Sequence, residues 1–123
     1  IEDLKNRIYF LENVPLKDLA ILYKTASLFV YPSIFEGFGI PIIEALFSKT
    51  PVISSTESCF KEAGGEHSIY VDVDDVNTLK EKIDLVLTNN NLRIEMIKKG
   101  FEYAQRFNDA DIANHYIKIY NKL

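Results

Sequence analysis

A chain of 123 residues is one domain's worth of sequence, and with 47% hydrophobic and 26% charged residues it can bury a core and still be solvated. Its net charge of −4 supplies no basic stripe for phosphate neutralisation, which excludes nucleic acid as an expected partner. The one cysteine, Cys59, excludes an internal disulfide, and no apolar run nears the roughly 20 residues that a membrane span needs. The expectation is a cytoplasmic domain without a transmembrane segment, compatible with peripheral membrane contact. The chain opens on Ile1 rather than Met, with residues that read as the tail of an earlier element. We therefore expect a piece of something longer, lacking its first strands.

In chain order, Ile8-Tyr9-Phe10-Leu11 is a short β-branched and aromatic run that predicts a buried strand. After a turn over Glu12 to Pro15, apolar residues at Leu16, Leu19, Ala20, Leu22, Tyr23 and Ala26 follow the stripe of an amphipathic helix, which Pro15 opens. Leu28 to Tyr31 predicts a second strand, and residues 40–48 a helix. Pro51 to Ser55 predicts a third strand, with proline at the position where a strand tolerates it. Thr56 to Gly65 reads as a loop with a short helix around Phe60 to Ala63, and Ser68 to Asp72 as a fourth strand.

The remainder reads as helical. Val76, Leu79, Ile83, Val86 and Leu87 form one stripe, with Asp74 or Asp75 as its N-cap. Asn89-Asn90-Asn91 breaks the pattern. Leu92, Met96, Ile97, Phe101 and Ala104 form a second stripe with Gly100 tolerated inside it, and Ile112, Tyr116, Ile119, Tyr120 and Leu123 form a third. Strands alternating with helices imply βαβ units, hence an α/β fold: a Rossmann-like three-layer α/β/α arrangement around a mostly parallel sheet. No repeat, low-complexity stretch or linker divides residues 1–123. In open sheets of this kind a ligand sits beyond the carboxyl ends of the strands. That rule selects the Glu36–Gly39 turn and the Ser54–Glu57 loop.

The stretch Phe35-Glu36-Gly37-Phe38-Gly39-Ile40-Pro41-Ile42-Ile43-Glu44-Ala45-Leu46 concentrates the chemistry. Two glycines flank one aromatic, so the backbone can turn where a Cβ would clash. Pro41 follows where its fixed φ suits a first helical turn. A strand, a glycine turn and a helix N-terminus present free N–H groups and a positive dipole end to an anion, most often a phosphate. Two carboxylates bracket this place, Glu36 before the turn and Glu44 one turn into the helix. The plainer alternative is an ordinary strand-to-helix connection in which Glu44 only complements the dipole.

Glutamate, seven residues, glutamate, around Gly-Phe-Gly and before Ala-Leu, resembles the nucleotide-sugar motif of retaining GT-B glycosyltransferases of the family 4, or group 1, type. The likeness extends along the chain: Ile8-Tyr9-Phe10-Leu11 is similar to the family's Val/Ile-x-Phe-Leu strand, Pro51-Val52-Ile53-Ser54 to its Pro-Val-Ile-Ala strand, Glu62-Ala63-Gly64 to its short Glu-Val/Ala helix, and Tyr70-Val71-Asp72 to its Leu-Val-Asp strand. Phe107 and a closing tyrosine in the last helix also fit. The resemblance implies a C-terminal, donor-binding GT-B domain. It implies that Glu44 holds the donor's ribose hydroxyls, that Glu36 lies against the donor sugar as the catalytic-site glutamate, and that the backbone of Gly37, Phe38, Gly39 and Ile40 reaches the sugar and pyrophosphate. The implied substrates are an NDP-sugar such as a UDP- or GDP-sugar and a sugar, lipid or polysaccharide acceptor, held by an N-terminal domain outside this chain. Neither a cofactor nor a metal is implied.

The chain also departs from the family pattern. Glu12 stands where a glycine usually follows the first strand, Lys49 where a glycine usually precedes Thr-Pro, and Asn108-Asp109 where Ser-Trp is frequent. The family's donor-site Arg and Lys come from a region before this chain, and Lys24, Lys49 and Lys61 do not match them. A dinucleotide fingerprint is the runner-up for the central stretch: Gly37-Phe38-Gly39 begins one, with Glu57 as its acidic ribose ligand, but the third glycine is missing. A non-catalytic nucleotide-sugar-binding module and a sugar-nucleotide epimerase stay open as well. His67 and His115 lack a ligand pattern, Ser33, Ser54, Ser55 and Ser58 lack a nucleophile elbow, and Lys98-Lys99 reads as a solvated helix face.

Overall fold

Strand pairing follows chain order. In the computed structural model, which describes residues 4–56 and 58–120, β1 (Phe29–Tyr31) pairs in parallel with β2 (Val52–Ser55), and β2 pairs in parallel with β3 (Ile69–Val71). The register sets Val30 beside Ile53 and Ser54 beside Tyr70. Ile1, Glu57 and Leu123 lie outside the described residues, as do the side chains of Ser58, His115, Tyr116, Ile119 and Tyr120.

Central β2 is buried at all four positions, as a parallel strand covered on both faces should be. Its side chains divide by the period-2 rule. Val52 joins a core with Tyr23 of α1 (Leu16–Thr25), Ile42, Ala45 and Leu46 of α2 (Ile40–Phe47), and Phe60 and Ala63 of α3 (Ser58–Gly64). Ile53 joins a second core with Val71, Val86 of α4 (Val76–Thr88) and Met96 of α5 (Asn90–Ala104). The α5 helix reaches both cores, since Ala104 belongs to the first. Helices therefore cover both faces of the sheet, giving the expected three-layer, Rossmann-like α/β arrangement. A 3₁₀ turn over Gln105–Phe107 leads into α6 (Asp109–Tyr120).

Local signals set most boundaries. Asp75, rather than Asp74, caps α4 by accepting from the Thr78 N–H at 3.0 Å. Asn89 ends α4 and caps α5, accepting from the Leu92 N–H at 3.0 Å. The short helix expected around Phe60 runs over seven residues. Gly100 leaves room for the buried Leu46: a Cβ there would stand 2.7 Å from Leu46 Cδ2, so one of the two would have to shift.

One expected element is overturned. Ile8 to Leu11 forms no strand, and its side chains are exposed, Phe10 at 92%. A strand needs a neighbour for its N–H and C=O groups, and among the described residues this run pairs with none. The described sheet thus has three strands instead of four. No helix among the described residues is long and apolar enough to cross a membrane.

Candidate functional site

The segment between β1 and α2 leaves the carboxyl edge of the sheet and is tied down from β2. The Ser54 hydroxyl donates to the Tyr31 carbonyl at 3.0 Å, and the Ser55 hydroxyl to the Ser33 carbonyl at 2.5 Å. The Cys59 thiol makes a weaker contact, 3.7 Å to the Glu36 carbonyl. Both strand-end serines thus clamp the turn to β2.

The two glycines of the turn do different work. Gly39 has φ +91°, and a Cβ there would meet Phe60 at 3.0 Å, Ile42 at 3.3 Å and Ala63 at 3.4 Å. Only glycine suits that backbone and that space. Gly37 has nothing within 4 Å of an added Cβ, so its face is open. Phe38 turns its ring inward against Phe107, 5.7 Å between centroids at 79°, and Phe107 packs on Tyr103.

Helix α2 starts without a side-chain cap, and its first turn carries no acidic residue. Among the described residues the N–H groups of Gly37, Phe38, Gly39 and Ile40 donate to no protein acceptor. Pro41 has no N–H to leave unpaired. Uncapped donors at a helix N-terminus, with the dipole behind them, favour an anion in front of them. Ile40 itself is exposed.

Each carboxylate is held by a tyrosine. The Tyr31 hydroxyl donates to Glu36 Oε1, and the Tyr23 hydroxyl to Glu44 Oε2 at 3.3 Å. Burial, then the neighbouring carboxylate, pushes the Tyr23 phenol up to about 12; burial and the hydrogen bond to Glu36 push Tyr31 to about 12 as well. Both hydroxyls therefore keep their protons at neutral pH and act as donors. The two rings are joined through Phe29, which meets Tyr23 edge-on at 5.1 Å and stacks on Tyr31 at 5.7 Å. Tyr23 and Glu44 also line a cleft of about 240 Å³ between α1 and α2, with Leu16, Leu19 and Phe47.

The structure places Glu36, Gly37, Phe38, Gly39 and Ile40 together in the turn and at the start of α2, and Glu44 one turn further along α2, facing Tyr23 of α1. Sequence reasoning missed Tyr23 and Tyr31. Tyr31 precedes Glu36 by only a few residues, a usable signal, whereas Tyr23 looked like one more member of an apolar stripe.

The departures have local accounts. Lys49 adopts φ +60°, a conformation that suits glycine, and its ammonium lies 4.9 Å from the Phe101 ring centre. Asn13, next to Glu12, adopts φ +52°. Lys24, Lys61, Lys98 and Lys99 are exposed. A larger cavity, about 640 Å³, is lined by Lys61, His67, Tyr70, Tyr103 and Arg106. It takes in the loop before β3 and the end of α5, where Tyr103 packs on Phe107, the ring that meets Phe38 of the turn. The carboxylates, the open glycine face and the unpaired amides make the turn the stronger site.

Comparison with known proteins finds a family and several relatives. The family described as "Glycosyl transferases group 1" matches residues 2–103. The "O-antigen chain mannosyltransferase B" of Escherichia coli is 34% identical over 116 residues, which cover 94% of this chain and 30% of that protein. The "O-antigen chain mannosyltransferase RfbU" of Salmonella typhimurium is 46% identical over 81 residues, 66% of this chain and 23% of the relative. A Campylobacter jejuni "N,N'-diacetylbacillosaminyl-diphospho-undecaprenol alpha-1,3-N-acetylgalactosaminyltransferase" is 29% identical over 108 residues, 86% of this chain and 29% of its own. The chain thus spans less than a third of the length of these relatives.

Proposed function

We propose a function on this footing: the chain belongs to the glycosyl transferases of group 1. It is the nucleotide-sugar-binding, C-terminal part of a GT-B enzyme that moves a sugar from an NDP-sugar to an acceptor hydroxyl with retention at the anomeric carbon. The observation that carries this reading is the turn itself. Unpaired amides from Gly37 to Ile40 stand at an uncapped helix N-terminus, flanked by two carboxylates that accept from tyrosines.

Each group has a role in that chemistry. The Glu44 carboxylate accepts hydrogen bonds from the vicinal diol of the ribose. The Gly37–Ile40 amides meet the sugar and the pyrophosphate, and the open face of Gly37 lets the backbone approach. Glu36 lies against the donor sugar. As the bond from the anomeric carbon to the diphosphate breaks, negative charge grows on the leaving oxygen. Amides and the helix dipole, already in place, stabilise it. The acceptor's hydroxyl proton passes to the departing diphosphate as the new glycosidic bond forms, so no protein nucleophile is required. Two of the relatives named above are mannosyltransferases and the third an N-acetylgalactosaminyltransferase. Those names support a hexosyl donor and polysaccharide assembly as the setting.

Titration of UDP and GDP into the full-length protein tests the assignment. A hydrogen bond to a charged group is worth about 1.5–3 kcal/mol, so Glu44→Gln should weaken binding of the plain nucleotide by about one to two decades. Glu36→Gln should leave the plain nucleotide unaffected and lower turnover of the sugar nucleotide. A dissociation constant unchanged by Glu44→Gln would overturn the reading.

A further inference from the structure

We propose that Tyr23 and Tyr31 are positioning residues for the donor site, each committing one oxygen of a glutamate so that the other is presented to the ligand. The inference rests on the donor-ligand roles of Glu36 and Glu44 stated above, and adds to them what orients those carboxylates.

A glutamate on a surface turn or helix samples many side-chain rotamers, and ordering it costs conformational entropy each time a ligand binds. A donor that holds one carboxylate oxygen in the free protein removes part of that cost. Tyr31 Oη on Glu36 Oε1 and Tyr23 Oη on Glu44 Oε2 are such donors, and each leaves the second oxygen of its carboxylate without a protein partner among the described residues. The tyrosines are themselves held. Tyr23 is 8% exposed within the first core, and its carbonyl accepts from the buried Thr50 hydroxyl. Tyr31 is wedged between Phe29, stacked at 5.7 Å, and Phe60, edge-on at 5.8 Å. Phe29 touches both tyrosine rings, so a single aromatic row from α1 to β1 and α3 sets both carboxylates. Charge supports the arrangement too. No lysine or arginine among the described residues pairs with either glutamate, so the phenols supply the only side-chain donors to them.

A double-mutant cycle in the full-length protein tests this, with UDP and GDP as probes and UDP- and GDP-sugars as substrates. Tyr23→Phe keeps the ring and removes the donor. It should weaken nucleotide binding roughly three- to tenfold, less than Glu44→Gln does, because the carboxylate remains but must be ordered by the ligand. Combined with Glu44→Gln, it should add little, since the amide has lost the charge that the hydroxyl orients. Tyr31→Phe should leave plain-nucleotide affinity unchanged and lower turnover of the sugar nucleotide, again non-additively with Glu36→Gln. Melting temperature is measured for each variant. A merely structural role would move it and would make the paired losses additive, which overturns the proposal. Glu44→Gln weakening the nucleotide while Tyr23→Phe does not would refute the positioning role alone. Failure of Glu44→Gln to weaken it would refute the donor-site reading together with the proposal.

Discussion

Replacing each glycine of the turn by alanine separates what the fold needs from what the ligand needs. At Gly39 an L residue must hold φ +91°, and leaving the ordinary backbone region for the left-handed side costs about 1–2 kcal/mol. The new methyl would also stand 3.0 Å from Phe60 Cδ1 and 3.4 Å from Ala63 Cβ, two residues with no exposed surface. Overpacking of that kind costs about 1–3 kcal/mol. The sum is about 2–5 kcal/mol for Gly39→Ala. Gly37 has neither a positive φ nor a neighbour within 4 Å, so Gly37→Ala should stay within about 0.5 kcal/mol of the parent. Its methyl should still occupy the open face and weaken nucleotide-sugar binding. Urea unfolding followed by circular dichroism, with calorimetric titration of a UDP- or GDP-sugar, reads both quantities. A Gly39→Ala variant within 0.5 kcal/mol of the parent, or a Gly37→Ala variant as damaged as Gly39→Ala, would refute the reasoning.

Two further outcomes follow from the same geometry. Asn89→Ala removes the side chain that accepts from the Leu92 N–H, and should cost about 1 kcal/mol of stability in urea unfolding, with Asn89→Asp restoring it. Tyr23, Tyr31 and Tyr70 are each raised from 10.0 to about 12, chiefly by burial. A phenol that holds its proton more tightly when folded stabilises fully below pH 10 and loses that contribution as pH rises toward 12. Unfolding midpoints should therefore fall across that window. Tyrosinate absorbance should show late-titrating phenols, with Tyr70→Phe removing one of them. A stability that does not change across the window would contradict the assignment.

The α/β class, the parallel pairing and the strand–turn–helix around Gly37 and Gly39 are legible in the sequence, because each depends on rules that act over a few residues. Gly39 and Pro41 announce a turn into a helix by their own backbone restrictions, and the Asn89 cap needs only the amide three residues on. The apolar stripe of α1 predicts the helix that forms, but little of that face is covered: Leu16 is 81% exposed and Tyr23 alone is buried. Periodicity shows which residues share a side, and packing decides whether anything covers that side.

The same division explains Ile8 to Leu11 and the tyrosines. By itself the sequence determined which segments prefer extended or helical backbone, and where a carboxylate stands relative to a helix start. Whether an extended segment becomes a strand depends on another segment's N–H and C=O groups, and Ile8 to Leu11 has no such partner among the described residues. The hydroxyl of Tyr23 reaches Glu44 across 21 residues, and the Phe38 ring reaches Phe107 from the opposite half of the chain. Only the packing of α1 against α2, and of α5 with the 3₁₀ turn that follows it against the turn and α2, brings those groups within a few ångströms, because a hydrogen bond or a ring contact forms between neighbours in space whatever their separation along the chain.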